Sequence, residues 1–181
     1  MPSAKFKYID SMEKGINNEH SCVDCGTQNC KYKNRTYPEF CLTTNLDESD
    51  RLWALEKYEE SNNKAIMIAS AEVEYEGYCK WTRVQEIMEF AHKINAKRIG
   101  IANCIGLINE ARIFAKILRA NGFEPFAVIC KVAGQSKTSV GIPSECENIG
   151  AAMCNPILQA RLLNQANTDL NVVIGLCFGH D

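Results

Sequence analysis

Short apolar runs alternate with amphipathic helical patterns in the second half of the chain. Three runs have the length of buried strands: RIGIAN (98–103), FAVICK (126–131) and LNVVIGLC (170–177). A helical pattern runs from about Leu107 to Asn121, and another begins at Asn155-Pro156, a cap residue followed by proline at the first helical position. This alternation is typical of a parallel sheet with crossover helices, so we predict an α/β fold with flanking helices.

The stretch between the first cysteines and this region carries helical patterns. One helix is predicted from Asp47, with Leu52, Leu55 and Tyr58 on one face, and another opens at Thr82 and runs to about Ala96. KAIMIASAEVEYE (64–76) fits either a helix or a strand, and we favour a helix. Trp53 and Trp81 are predicted to be packing residues.

The first 45 residues have a different character. Residues 1–21 are polar and lack periodicity, and few hydrophobic residues surround the cysteines that follow. We therefore predict an N-terminal arm with a small cysteine-rich metal-binding segment over 1–45 and an α/β domain over 46–181. Because the run 170–177 has no helix after it, we also expect the α/β domain to continue beyond Asp181.

Composition and charge narrow the classes of partner. The formal net charge is -2 and 23% of the residues are charged, so the chain has no basic excess that would indicate binding to nucleic acid or to an anionic membrane. No apolar run approaches the roughly 18 residues that span a bilayer, and the N-terminus lacks the apolar core of a signal peptide. We predict a cytoplasmic protein, and the sequence leaves its oligomeric state open.

Ten cysteines change this picture. A reducing cytosol argues against structural disulfides, so metal ligation or thiol chemistry is the better interpretation. The N-terminal cysteine set has the spacing C-x2-C-x4-C-x10-C and consists of Cys22, Cys25, Cys30 and Cys41. Cys-x2-Cys followed by Gly26 is suited to a metal knuckle, and four thiolates fit a zinc ion or a 4Fe-4S cluster. The alternative is a loop of unrelated free thiols, and His20 is either a substitute ligand or an exposed polar residue.

The strand-end cysteine set lies next to predicted element ends and consists of Cys104, Cys130, Cys154 and Cys177. Because the carboxyl ends of parallel strands meet at one edge of a sheet, we expect these side chains to converge there, as ligands of a cofactor. Helix N-termini near Cys104 and Cys154 would favour thiolates. The alternative is that each cysteine serves as a small buried hydrophobe.

Polar residues are predicted at the same edge: Lys131, Lys137, Asn103, Asn155 and the terminal pair His180-Asp181. Lys131 and His180 are the catalytic candidates, as groups that polarise a bound substrate. A histidine beside a carboxylate can be an oriented ligand or a general base, although here it can equally be a solvated chain end. Cys79 and Cys146 are left without a role, with Cys146 a candidate alternate ligand.

Five motifs together resemble a known family. They are Cys22-x2-Cys25-Gly26-x3-Cys30, Gly100-Ile101-Ala102, Cys130-Lys131, Cys154-Asn155-Pro156-x2-Gln159-Ala160-x2-Leu163-Asn164 and Gly175-Leu176-Cys177-x-Gly179-His180-Asp181. The chain resembles the domain of unknown function 1847 family, cysteine-rich metal-binding proteins of anaerobic bacteria and archaea, from about residue 20 onward. The resemblance implies metal binding in a reducing setting and a chain that continues past Gly-His-Asp. Members often have Cys-Pro where this chain has Cys41-Leu42, a departure from a ferredoxin-like site.

These observations support two main functional hypotheses. The first is a metal-binding protein with a cysteine-lined pocket at the sheet edge, carrying out redox or sulfur chemistry on a small-molecule substrate or with a redox partner. The second is a non-catalytic, zinc-stabilised binding or interaction module. A metal-free thiol oxidoreductase is a weaker third hypothesis, because the Cys-x2-Cys lies outside any βαβ context.

Overall fold

The computed structural model describes residues 20–32 and 36–180. The chain divides into two compact units between Glu60 and Ser61, and each is described by itself. The predicted division between residues 45 and 46 stays a prediction. Each unit contains one of the two cysteine sets.

The N-terminal unit is built from short helices. A 3₁₀ turn covers Cys22–Asp24, and the helices are α1 (Asn29–Tyr32), α2 (Leu42–Asn45) and α3 (Glu48–Glu59). Asp47 precedes α3 as predicted, but the apolar face expected on that helix is not buried: Leu52, Leu55 and Tyr58 are each about half exposed. Trp53 is also exposed, so the prediction that it packs in a core is wrong.

The second unit contains α4 (Ser61–Gly77), α5 (Arg83–Lys93), β1 (Arg98–Asn103), α6 (Ile108–Ala120), β2 (Glu124–Ile129), α7 (Pro156–Gln165) and β3 (Leu170–Ile174). The ambiguous stretch 64–76 is helical. Thr82 caps α5 by accepting the Gln85 N–H, and Asn155 caps α7 through Leu158 N–H at 3.0 Å. Trp81 packs against Gly77, where a Cβ atom would lie 2.4 Å from its ring.

The three strands form a parallel sheet in the order β2-β1-β3. Ile99 and Ile101 of β1 face a core built with α5 and α6, whereas Ala102 faces the other side and packs with Val128 and Leu163 of α7. The sheet therefore has helices on both faces. This arrangement confirms the predicted α/β class with a parallel sheet and flanking helices.

Two predicted strand boundaries were too far toward the C-terminus. β2 begins at Glu124 and includes Pro125, which an outer strand tolerates because one side of it makes no ladder hydrogen bonds. β3 ends at Ile174, because the following Gly175 turns the chain with a φ of 54°. Cys130 and Cys177 consequently follow their strands instead of closing them.

Candidate functional site

The N-terminal cysteine set surrounds one cavity. All four thiols, together with Lys31, Phe40 and Leu42 among others, line a space of about 280 Å³. Cys22 lies in the 3₁₀ turn, whose start is fixed by the Ser21 N–H donating to the Asp24 carboxylate at 2.7 Å. Cys41 precedes α2 and is buried. Three short helical elements thus bring cysteines from 20 residues of chain to a common wall.

Threonines adjoin these thiols. Cys25 Sγ lies 3.4 Å from the Thr27 hydroxyl, and Cys30 Sγ lies 3.1 Å from the Thr43 hydroxyl. The Thr27 hydroxyl and the N–H groups of Gln28 and Thr27 lower the pKa of Cys25. Burial opposes ionisation of Cys41, but the hydroxyl and N–H groups of Thr43 and Thr44 outweigh it, so the pKa of Cys41 is also lowered. Polar groups at this cavity therefore favour thiolates, the form that binds metals.

The side chains of the N-terminal cysteine set are not arranged as a coordination sphere. Within residues 20–32 and 36–180, no three His, Cys, Asp or Glu side chains are arranged as ligands of one ion. His20 lies outside the cavity lining, with its ring against Phe40 and its Nδ1 4.0 Å from the Asp24 carboxylate. Its position fits the interpretation of an exposed polar residue better than that of a ligand.

The strand-end cysteine set lies at the carboxyl edge of the sheet. Cys104 and Cys130 directly follow β1 and β2, Cys177 follows β3 after a short turn, and Cys154 precedes the cap residue of α7. Backbone hydrogen bonds connect these positions. Cys104 N–H donates to Ile174 C=O at 3.1 Å, Cys130 N–H to Asn103 C=O at 2.9 Å, and Asn155 N–H to Cys130 C=O at 2.7 Å.

The thiols of this set are close enough to affect one another. Cys104 interacts with Cys130 and Cys177, and Cys154 interacts with Cys130 and Cys177. The sequence-predicted neighbours are therefore brought together. Cys130 is fully buried, Cys104 and Cys154 are partly buried, and Cys177 is exposed, so the set reaches from the protein interior to solvent.

The surroundings of three of these thiols shift their pKa values in different directions. The N–H of Gly106 favours the Cys104 thiolate and holds the pKa of that cysteine below its ordinary value. Burial raises the pKa of Cys130, although the Ile105 N–H, 3.4 Å from its sulfur, opposes this. The negative charge of a Cys104 thiolate raises the pKa of Cys177. Cys104 therefore ionises at lower pH than Cys130 and Cys177.

Both catalytic candidates lie near the same edge. Lys131 donates from Nζ to Ala152 C=O at 2.6 Å, and its charge partly offsets the raised pKa of Cys177. The His180 N–H donates to Cys177 C=O at 3.0 Å, and its Nδ1 is buried without a partner among the described residues. Asp181 lies outside the described residues, so the predicted His180-Asp181 pairing stays a prediction.

The loop between β2 and α7 holds other polar candidates. Lys137 is buried, and its ammonium donates to Cys146 C=O. Cys146 lies in a 3₁₀ turn, and Cys79 is exposed in the turn before α5. A larger cavity of about 760 Å³ lies beside β3, α4 and α5, and it is lined by Cys79 but by none of the predicted ligands.

Sequence reasoning assigned no role to Gln159. This residue of α7 is 1% exposed, and its Nε2 donates to Val128 C=O at 2.8 Å and to Asn103 C=O at 3.3 Å. Asn103 is also fully buried, and its amide donates to Cys104 C=O at 2.9 Å. Its position in the sequence could have indicated this role, because Gln159 lies four residues after Asn155 and therefore on the same face of the helix as the cap residue.

No helix within the described ranges is both long and apolar enough to cross a membrane.

Comparisons with known proteins relate this chain to a family of proteins. No solved structure matches the chain. An uncharacterized protein of Methanocaldococcus jannaschii, MJ0455, is 47% identical over 127 residues, which are 70% of this chain and 65% of that relative.

The family comparison covers more of the chain. Residues 41–181 match the profile described as protein of unknown function DUF1847. The match contains Cys41 and the whole strand-end cysteine set, and it begins after Cys22, Cys25 and Cys30. The chain belongs to the DUF1847 family.

Proposed function

We propose that this protein binds a metal through the N-terminal cysteine set and uses the strand-end cysteines at the sheet edge for redox or sulfur chemistry. The observation that carries the proposal is that Cys22, Cys25, Cys30 and Cys41 all line one cavity. Four thiols around one space form a donor set that suits a tetrahedral zinc ion or a 4Fe-4S cluster.

The surroundings of this cavity fit such a group. The polar groups beside Cys25 and Cys41 favour the deprotonated form that ligates metals. In addition, the only buried residues among those described up to Glu60 are Asn29 and Cys41, so this unit has little apolar core of its own. Metal ligation can supply the missing folding free energy, on the order of 10 kcal/mol for structural zinc.

The strand-end cysteines are the proposed chemical centre. Cys104, Cys130, Cys154 and Cys177 are four neighbouring thiols, each of which interacts with two of the others, and such a set suits a second metal or cluster as cofactor ligands. Lys131 would attract an anionic small-molecule substrate or offset the negative charge of a cluster, and His180 would contact the substrate. We expect this activity in the cytoplasm, with a redox partner but without nucleic acid or membrane.

Metal analysis of the anaerobically purified full chain tests the proposal. Zinc, iron and acid-labile sulfide are measured for the wild type, for Cys22→Ser/Cys25→Ser, for Cys104→Ser/Cys177→Ser and for the control Cys79→Ser. We expect each double variant to lose one metal centre and retain the other, while Cys79→Ser retains both. A wild type without stoichiometric metal contradicts the proposal, as does an N-terminal double variant with full metal content.

The alternative is a non-catalytic, zinc-stabilised binding module. The observation in its favour is that the described part of the N-terminal unit buries only Asn29 and Cys41, so this part needs stabilisation whether or not chemistry occurs elsewhere. This alternative predicts one zinc per chain, no iron or sulfide, and strand-end cysteines that iodoacetamide alkylates in the zinc-loaded protein. Several iron atoms per chain would exclude it.

A further inference from the structure

A fully buried glutamine connects α7 to the strand ends that carry the cysteines. Gln159 Nε2 donates to the carbonyl groups of Val128 in β2 and Asn103 in β1. Asn103 C=O also accepts the N–H of Cys130. One side-chain amide thus joins the helix to both strands, at Asn103 directly before Cys104 and at Val128 two residues before Cys130.

The position of α7 sets the position of Cys154. Cys154 lies two residues before the first residue of α7, and Asn155 between them donates its N–H to Cys130 C=O. The start of the helix is therefore held on the end of β2 by a backbone hydrogen bond and, one turn later, by the Gln159 side chain. Both contacts keep Cys154 beside Cys130.

Filling space in the core does not by itself explain a glutamine here. The Gln159 Oε1 atom is buried and accepts no hydrogen bond from the described residues. An unsatisfied buried acceptor is destabilising, and an apolar side chain of the same length would avoid this cost. What an apolar side chain could not do is donate to the two strand carbonyls.

We propose that Gln159 is a positioning residue for the strand-end cysteines, holding the α7 N-terminus on β1 and β2 so that Cys154 and Cys130 stay within reach of one metal or cluster. This inference rests on the proposed function of that cysteine set. Partners of this kind, which orient ligands without touching the metal, typically change metal affinity 10–100-fold when they are replaced.

The test compares Gln159→Met, which keeps the side-chain length but removes the donor, with Gln165→Met, a matched change at an exposed position of the same helix. Both are made in the Cys22→Ser/Cys25→Ser background, where cobalt(II) reports on the strand-end cysteines by thiolate charge-transfer absorbance. We expect Gln159→Met to weaken cobalt affinity by roughly 10–100-fold, and Gln165→Met to leave it unchanged.

A second readout needs no metal. In the metal-free chain, the buried Cys130 should be alkylated roughly tenfold faster in Gln159→Met than in the wild type, because the strand end opens locally. The already exposed Cys177 should change little, and the thermal midpoint should move by no more than about 4 °C. Peptide mapping by mass spectrometry gives the rate for each cysteine.

Three outcomes separate the inference from its alternatives. An unchanged rate of Cys130 alkylation in Gln159→Met overturns the inference. It is also overturned if the alkylation rate rises equally at all cysteines and the thermal midpoint falls strongly, because that result indicates a general structural role. If Gln159→Met does not fold, Gln159→Leu is measured against the same criteria. A background chain that binds no cobalt contradicts the proposed function of this set, while Cys130 alkylation still decides the role of Gln159.

Discussion

Single cysteines at the sheet edge show how strongly a few neighbours determine reactivity. Cys104 has the Gly106 N–H beside it, whereas Cys130 is enclosed by protein and Cys177 faces the charge that Cys104 acquires on ionisation. Three residues of one type thus differ in acidity within one group. The thiolate is the reactive form of cysteine, so a lower pKa makes a cysteine react faster with electrophiles at neutral pH.

Cys104 should react at lower pH than Cys177. In the reduced, metal-free protein, we expect iodoacetamide to modify Cys104 several-fold faster than Cys177 near pH 7, roughly three- to tenfold, because a lowered pKa leaves more thiolate at that pH.

The same measurement on Cys104→Ser checks the cause. Without the Cys104 charge, the pKa of Cys177 should fall, and its alkylation profile should shift to lower pH. A Cys177 profile that is identical in both proteins would mean that the two thiols do not interact.

At the scale of elements, the sheet edge depends on how each strand begins and ends. The Asp169 carboxylate accepts the N–H groups of Lys97 and Arg98 at 2.8 and 2.7 Å, and so joins the start of β3 to the start of β1. At the other end, Gly175 turns the chain from β3 toward Cys177. The Asp169 contacts join residues more than 70 positions apart in sequence, whereas the turn at Gly175 is local and leads directly to Cys177.

Stability should depend on pH through Asp169. The N–H groups of Arg98 and Lys97 lower the pKa of Asp169 from its ordinary value of 3.8, so its contribution to folding is fully present above that value. It is lost as pH falls through the lower pKa of the folded state. We expect Asp169→Asn to reduce the free energy of unfolding at pH 7, and we expect this effect to shrink progressively as pH is lowered below 3.8, measured by urea denaturation at a series of pH values.

Glu124→Gln is the matched control for Asp169→Asn. It removes a carboxylate from the same end of the sheet, where the Glu124 carboxylate lies 3.6 Å from the exposed Lys97 ammonium. Its effect should be small at both pH values. Equal effects of the two variants would show that the backbone N–H groups that bind the Asp169 carboxylate add no stability beyond that of an exposed ion pair.

Replacing Gly175 should disturb the path of β3 toward Cys177. A Cβ atom there would meet the end of the Leu107 side chain, which has to shift, and φ is positive, so Gly175→Ala combines the cost of that shift with backbone strain. We expect a loss of about 2 to 3 kcal/mol in the free energy of unfolding. Gly141→Ala separates the two causes, because φ is 83° there but no atom lies near.

Gly141→Ala should therefore cost only about 1 to 2 kcal/mol. Chemical denaturation of both variants gives the comparison. If they lose the same stability, the contact with Leu107 is not a constraint on the turn.

For the whole molecule, the two units differ in what stabilises them. The second unit has a core on both faces of its sheet, whereas the described part of the first unit buries only Asn29 and Cys41. We expect Cys22→Ser/Cys25→Ser, or treatment with a strong chelator, to make residues up to about 60 susceptible to limited proteolysis. The thermal midpoint of the α/β unit should remain within about 4 °C of the wild type. Equal protection of both units after metal removal would contradict this expectation.

The sequence predicted the larger features of the fold because they depend on periodicity. The runs around Ile99 and Val172 and the helix before Gly122 are distinguishable by hydrophobic pattern, and Asn155-Pro156 marks a helix start by known chemistry. Strand ends were less predictable. Pro125 is compatible with β2 only because that strand lies at the outside of the sheet, a fact of topology that no local pattern contains.

The site was predictable in its residue types but not in its supporting contacts. Four cysteines near strand and helix ends follow from the chain order of the elements, and Cys104 and Cys130 are neighbours for that reason. Gln159 gave no comparable signal, since its role depends on the carbonyl groups of two strands that lie far away in sequence. The exposure of Trp53 was also missed, because a large apolar residue in an amphipathic pattern usually packs.

The strand order β2-β1-β3 also has a consequence for folding. β1 pairs with β2 across one helix, with Arg98 opposite Glu124, but it pairs with β3 across a much longer stretch of chain that contains α6, β2 and α7, with Ile99 opposite Leu170. Loop closure is slower for distant partners, so we expect β1, α6 and β2 to associate first and β3 to add late. Cys104 and Cys130 would then meet early, and Cys177 would join them only in the last step. A nascent chain would therefore expose an incomplete group of thiols, and the full set of four would assemble only when folding is nearly finished.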